Sequence, residues 1–189
     1  MRRRERQTDD NLPTPIDHFD DVVDRLWGRA FRGRPAVDTV FYLASDLGDF
    51  SVLWLLIGAA QGLRSETDAD AAGRLGLTLA AESLLVNQGI KRLIDRPRPK
   101  PVEPRPMALR KPLTSSFPSG HASAATVAST LLSQRDPKLA PAYALLAAIV
   151  ATSRIHVQIH HASDVIAGVV TGALIGRFVA KTWPVPARG

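Results

Sequence analysis

Apolar positions in this chain group into blocks with a helical period. Ile16, Phe19, Val22, Val23, Leu26, Trp27, Ala30 and Phe31 recur at helical spacing, and Asp20, Asp21, Asp24 and Arg25 fall largely between them. Thr14-Pro15 offers an N-cap and a first helical position, with Asp17 in the first turn. The pattern predicts an amphipathic helix, too charged to cross a bilayer, lying at an interface or covering the domain. Five more blocks predict helices over about 47–63, 71–94, 119–133, 139–154 and 162–183. Each apolar core is shorter than the ~20 residues of a lipid-exposed span. Residues 95–118 carry seven prolines and many charges, and read as a loop. The polar segment 1–13 is expected to be mobile, ahead of one helical domain over 14–189.

Small residues decide between water and membrane. Gly168, Gly172 and Gly176 repeat every four positions, as do Gly58 and Gly62. Such faces let helices approach closely in a membrane, where apolar contact alone drives no association. In water each glycine inside a helix would cost roughly 1 kcal/mol relative to Ala. The expected fold is all-α: a membrane-embedded bundle of about five spanning helices preceded by the amphipathic one.

Global composition is less decisive. At 189 residues, 45% hydrophobic and mean hydropathy near zero, the chain could be soluble or embedded. Net charge is +6 and the pI about 10.3. No nucleic-acid module is visible, and the cations flank apolar segments, which favours membrane lipids and phosphate substrates over a duplex. There is no Cys, so no disulfide and no thiolate metal site. Met1-Arg2-Arg3-Arg4 is basic but leads into polar residues, unlike a secretory signal.

Three motifs carry the chemistry. Lys91 is followed after six residues by Arg98-Pro99; Pro118-Ser119-Gly120-His121 opens a predicted helix; Ser153-Arg154 is followed after five residues by His160 and after three more by Asp164. Five alternating spans would bring all three to one face. There, Asp164 would accept one ring N–H of His160, share its helix face and leave the other nitrogen free to attack. The free N–H groups at the Ser119-Gly120 turn favour an anion, and His121 beside it suits a general acid. Lys91, Arg98 and Arg154 would bind nonbridging phosphate oxygens. Arg92, Arg96, Lys100, Arg105, Arg110 and Lys111 read instead as contacts to lipid headgroups. His156 and His161 read as bystanders and His18 as solvated. With no carboxylate cluster in the motifs, neither metal nor cofactor is expected.

Together the motifs resemble the signature of the type 2 phosphatidic acid phosphatase superfamily, with every signature position filled across 91–164. That superfamily includes membrane lipid phosphatases and soluble vanadium haloperoxidases. The resemblance implies a helical bundle, a phosphohistidine formed on His160 with Asp164 as its partner, and His121 as the acid. It also implies phosphate binding by Lys91, Arg98, Arg154, Ser119 and the Gly120 backbone. Many membrane members have six spans; here an amphipathic helix stands where the first is expected. The reading favoured is an integral-membrane phosphatase of a lipid phosphate such as phosphatidate, phosphatidylglycerophosphate or a polyprenyl phosphate. A vanadate-dependent haloperoxidase and a non-catalytic lipid-binding or transport protein are the alternatives. The motif-bearing face holds more than twice the Lys and Arg of the other, which points to a multi-pass cell-membrane protein with a cytoplasmic active site.

Overall fold

The computed structural model describes residues 14–101, 105–110 and 114–188. The expectations for residues 1–13 and for Lys111 fall outside them. Helix α1 (Pro15–Phe31) starts at Thr14, whose hydroxyl accepts from the Asp17 N–H while Asp17 accepts from the Thr14 N–H. Helices α2 (Pro35–Gly48) and α3 (Val52–Gly62) are joined by a 3-10 turn, Asp49–Ser51. Helix α4 (Glu66–Leu84) runs through a π turn, Leu85–Ile90, into the single turn α5 (Lys91–Leu93). Helices α6 (Gly120–Arg135), α7 (Ala140–His156) and α8 (Ala162–Thr182) complete the bundle. No strand occurs among the described residues.

Helix α6 is the axle. Ala122, Ala125, Val127, Ala128 and Leu131 on it are buried, and α4, α7 and α8 pack around it. Its Ala, Ser and Thr content suits a helix surrounded by others rather than by lipid. Three segments are long and apolar enough to cross a membrane: Pro35–Gly62, Pro137–His156 and Ala162–Thr182. On α8, Ile166, Val170, Leu174 and Phe178 stay exposed on the outer side.

One expectation about elements is corrected. The first span begins near Pro35, not Leu47, and is broken at Asp49–Ser51, where Phe50 and Ser51 take the left-handed backbone region. Asp38, Asp46 and Asp49 lower its apolar average, but Asp38 is buried against His156 and Asp49 faces His121 at 3.2 Å. Helix α1 turns Asp20 inward and leaves Ile16, Phe19 and Leu26 exposed. Only Val23 and Trp27 pack on the core of α7 and α8.

Helices α6 and α8 touch through the glycine face. A Cβ on Gly168 would sit 2.4 Å from the Ser119 carbonyl oxygen, and one on Gly172 2.3 Å from that of Ser123. The Gly172→Ala variant should therefore lower the thermal midpoint in detergent and cut activity roughly tenfold or more, because the site straddles this contact. The Gly73→Ala variant is the control. Its Cβ meets nothing within 4 Å, so it should be neutral or stabilising by about 0.5–1 kcal/mol.

Candidate active site

The turn from α7 to α8 builds the first half of the site. Gln158 takes a left-handed φ of 53°, and the N–H groups of Ile159 and His160 both donate to the Arg154 carbonyl, at 3.1 and 3.2 Å. This tight reversal points the buried His160 ring back toward the first turn of α8. Its Nδ1 lies 3.4 Å from Ser116 Oγ and 3.6 Å from Asp164 Oδ2. Its Nε2 lies 3.1 Å from the Arg98 guanidinium. His160 precedes α8, so the loop reversal, not a shared helix face, brings it to Asp164.

Asp164 is wholly buried and fully engaged. Oδ1 accepts from Arg96 at 2.6 Å; Oδ2 accepts from Ser116 Oγ at 2.5 Å and the His161 N–H at 2.9 Å. Arg96 in turn donates to Asp20 of α1 at 2.7 Å and to Ser163 Oγ at 2.7 Å. Asp20 also accepts the Ser163 N–H at 2.8 Å. Helix α1 is thereby wired to the carboxylate beside His160.

The second half comes from α2, α5, α6 and α7 around a cavity of about 740 Å³. Lys91, Gly120, His121, Arg154 and His160 line it, together with Leu55 of α3 and Leu79, Ala80 and Leu84 of α4. Lys91 is buried and makes no hydrogen bond or ion pair among the described residues. Arg154, also buried, donates to Ser45 Oγ while its Nε has no partner. These unused donors face the free N–H groups at the start of α6, a setting for an anion. His121 Nε2 sits 3.1 Å from the Ser45 carbonyl and 3.2 Å from Asp49 Oδ1, two acceptors that hold a proton there. A Cβ on Gly48 would come within 2.6 Å of the His121 ring, so only glycine leaves it room.

The His160 ring titrates far below its ordinary value, at about 3. Burial is the main cause; Asp164 opposes it, while Arg154, Arg98 and Lys91 push it further down. The ring is neutral at physiological pH, with a lone pair at Nε2 if Nδ1 carries the proton.

The eight expected residues converge, but not on equal terms. Arg98 spends its donors on the carbonyls of Thr114, Ser115 and Ile159, so it contributes charge beside His160 more than free N–H groups. Ser119, expected at the phosphate, is instead wholly buried: its hydroxyl caps Ala122 N, and its own N–H donates to the Asp164 carbonyl at 3.0 Å. Two cations assigned to lipid headgroups are structural: Arg96 holds Asp164, and Arg105 donates to the Val157 and Gln158 carbonyls at 2.9 Å. His156 lies outside the cavity and ties helices together, bonding Asp38 at 2.9 Å and accepting from Trp27 at 3.2 Å. Asp20, Asp49, Arg96 and Ser116 escaped the sequence reading. The doubled Arg-Pro of Arg96-Pro97-Arg98-Pro99 was the one visible hint.

A helical bundle that gathers two histidines, a carboxylate and a cluster of Lys and Arg around one cavity has the parts of a phosphoryl-transfer enzyme. The chain belongs to the PAP2 superfamily, whose sequence model matches residues 71–186. It is similar to the decaprenylphosphoryl-5-phosphoribose phosphatase of Mycolicibacterium smegmatis, 36% identical over 142 residues, 74% of this chain and 75% of that one. The protein of that name from Mycobacterium tuberculosis is 33% identical over 139 residues, 71% and 74% of the two chains. Its fold is similar to that of a transmembrane PAP2-type phosphatidylglycerolphosphate phosphatase from Bacillus subtilis, with TM-score 0.69 and 23% identity over 89% of this chain and 86% of that one. Aquifex aeolicus LpxE gives TM-score 0.69 and 25% identity over 86% and 95%. The protein is a phosphatase of this superfamily.

Asp20→Asn should lower kcat roughly tenfold with KM little changed, because it loosens Arg96 and through it Asp164, far from bound substrate. An Asp20/Arg96 double-mutant cycle should be non-additive. Titration of His160 gives a second test. The unfolded chain protonates this ring near its ordinary pKa of about 6.5, the folded one only near 3. Its stabilising contribution is therefore complete above about 6.5 and is lost as pH falls toward 3. The thermal midpoint should drop across that window, less steeply in His160→Gln.

Proposed function

We propose that the protein is a multi-pass membrane lipid phosphatase that releases phosphate from a lipid-linked phosphomonoester through a phosphohistidine on His160. One observation carries this reading. His160 Nε2, beside Arg98 at 3.1 Å, shares a cavity with the unsaturated cations Lys91 and Arg154, and that cavity continues between apolar side chains of α3 and α4. A phosphate would sit against Lys91 and Arg154, and an acyl or prenyl tail would run past Leu55, Leu79 and Leu84.

In the proposed reaction Nε2 attacks phosphorus and the P–O ester bond breaks. Lys91, Arg154 and the amides opening α6 take up the charge on the nonbridging oxygens. His121, whose Nε2–H is held by the Ser45 carbonyl and Asp49, gives the Nδ1 proton of its charged ring to the departing alkoxide. Burial pushes its pKa down to about 4, which makes the ring a strong acid, and Asp49 opposes that shift. Asp164 and Ser116 keep the proton on His160 Nδ1, so Nε2 is the attacking atom. Water then gives a proton to His121 and attacks phosphorus, breaking the P–N bond and freeing phosphate and His160.

The substrate class we favour is a lipid-linked sugar phosphate, as in the names of the mycobacterial relatives. The site would face the cytoplasm, on the positive-inside bias.

With a lipid phosphomonoester, His160→Gln should keep less than about a hundredth of wild-type turnover while folding normally; a tenth retained would defeat the assignment. Vanadate should inhibit, and EDTA should not, because side-chain cations clamp the phosphate. Loss in EDTA with recovery in magnesium would overturn the mechanism. Sidedness is testable because the chain lacks Cys: Ala108→Cys, exposed in the loop before α6, should resist an impermeant maleimide in intact cells and react after permeabilisation.

A further inference from the structure

Helix α1 divides into three strips along its length. Counting about 100° per residue, Asp20, Val23 and Trp27 fall within one strip about 60° wide. Val23 and Trp27 pack on α7 and α8, and Asp20 is buried beside them. Phe19, Leu26 and Ala30 lie on one flank of that strip and are exposed. Asp17, Asp21 and Arg25, also exposed, lie on the other flank. Arg29 is exposed between the two flanks on the outer side. A helix lying in a headgroup layer beside a bundle has this partition: one strip against protein, an apolar flank toward the acyl chains and a charged flank toward water. In water the two flanks would be equivalent.

The height of α1 on the bundle fits the same reading. Asp20 meets Ser163 in the first turn of α8, and Trp27 meets His156 in the last turn of α7. Both helices belong to segments long and apolar enough to cross a membrane. Ile166, just beyond Ser163 on α8, is already exposed, as is Val170. Helix α1 thus crosses the bundle where the apolar surface of a span ends and headgroups begin. From there Arg29 can reach lipid phosphates.

What the helix carries inward makes its seating matter. Asp20 accepts from Arg96 at 2.7 Å, from Ser163 Oγ at 2.7 Å and from the Ser163 N–H at 2.8 Å. Arg96 donates at 2.6 Å to Asp164, the carboxylate beside His160. Asp20 stands at the edge of the packed strip, next to the charged flank, so a roll of α1 toward water carries it away from Arg96 and Ser163. Val23 and Trp27 resist that roll from within the protein. Burial of Phe19 and Leu26 in lipid would add to their hold.

We infer that α1 docks in the headgroup layer of the bilayer through Phe19, Leu26 and Ala30, and that this docking holds Asp20 and Arg96 in place behind Asp164. The lipid surface is then a partner of the catalytic site as well as the source of its substrate. This rests on the phosphatase reading above and adds a means of control to it.

Two measurements on the full chain in phosphatidylcholine nanodiscs test the inference. The first exploits the lack of Cys. Bimane attached at Leu26→Cys should be quenched strongly by brominated acyl chains, and at Asp21→Cys weakly. Equal quenching at the two positions, or none at Leu26→Cys, overturns the docking whatever the activity. The second follows hydrolysis of p-nitrophenyl phosphate, which is water-soluble, so delivery of a lipid substrate plays no part. Phe19→Ser with Leu26→Ser should lower kcat roughly tenfold with KM little changed. Phe19→Ala with Leu26→Ala takes their place if the serines prevent folding. In an Asp20→Asn background the same pair of changes should add less than about twofold, because the chain they act through is already broken. Unchanged kcat, or a loss that multiplies with that of Asp20→Asn, overturns the coupling. No phosphate release by the wild type from p-nitrophenyl phosphate or from phosphatidate would instead defeat the phosphatase reading, while the quenching still reports on the docking.

Discussion

The site depends on how closely α6 and α8 approach. The glycines at 168 and 172 set their backbones against the carbonyls of Ser119 and Ser123, at distances that a methyl group would forbid. Because the helices touch at this spacing, the Ser119 N–H reaches the Asp164 carbonyl and the two helix starts become neighbours. One start carries His121 and the free amides of α6. The other carries Asp164 and, through the preceding turn, His160. In a membrane such contacts are stabilising because small residues allow dispersion and backbone contact that larger side chains would block.

The cations divide into two kinds with different work. Arg96, Arg98 and Arg105 are saturated by carboxylates and carbonyls, and they brace the loops on either side of the site. Lys91 and Arg154 are buried with donors to spare. Burying a cation with unfilled donors is costly unless a ligand completes it. Stability is thus surrendered at two positions, on the cavity wall, and recovered in the brace around them. On the proposed reading that is how an anion site is kept organised before the phosphate arrives.

Helix α1 has an unusual place in this arrangement. Its apolar residues Ile16, Phe19 and Leu26 face outward, and its one fully buried residue is Asp20. The helix is held by polar ties: Asp20 to Arg96 and Ser163, Trp27 to His156, and Arg32 to the carbonyls that end α7. An interfacial helix with its apolar face to the membrane would couple its own seating to the carboxylate beside His160.

Helical class, the order of the elements and the three motifs that meet at the cavity were legible in the sequence. Period 3.6, the glycines every four residues and the spacing of Lys91, Arg98, His121, Arg154, His160 and Asp164 are local or exact in number, so they survive without coordinates. The capping of α1 at Thr14 was equally local. Hidden were the features that depend on partners distant in the chain. Asp38 and Asp49 made the first span look too polar, because their histidine partners lie far along the sequence. Arg96 and Arg105 looked like surface cations until the fold brought Asp164 and the Val157 carbonyl to them. Ser119 read as a phosphate ligand; its burial, with the hydroxyl accepting from Ala122 N and the N–H donating to the Asp164 carbonyl, is visible only in the fold. The sequence by itself determined which chemical groups are present and on which helix ends they stand. Tertiary structure decided which charges are neutralised and which stay open, because burial and pairing belong to contacts across the bundle.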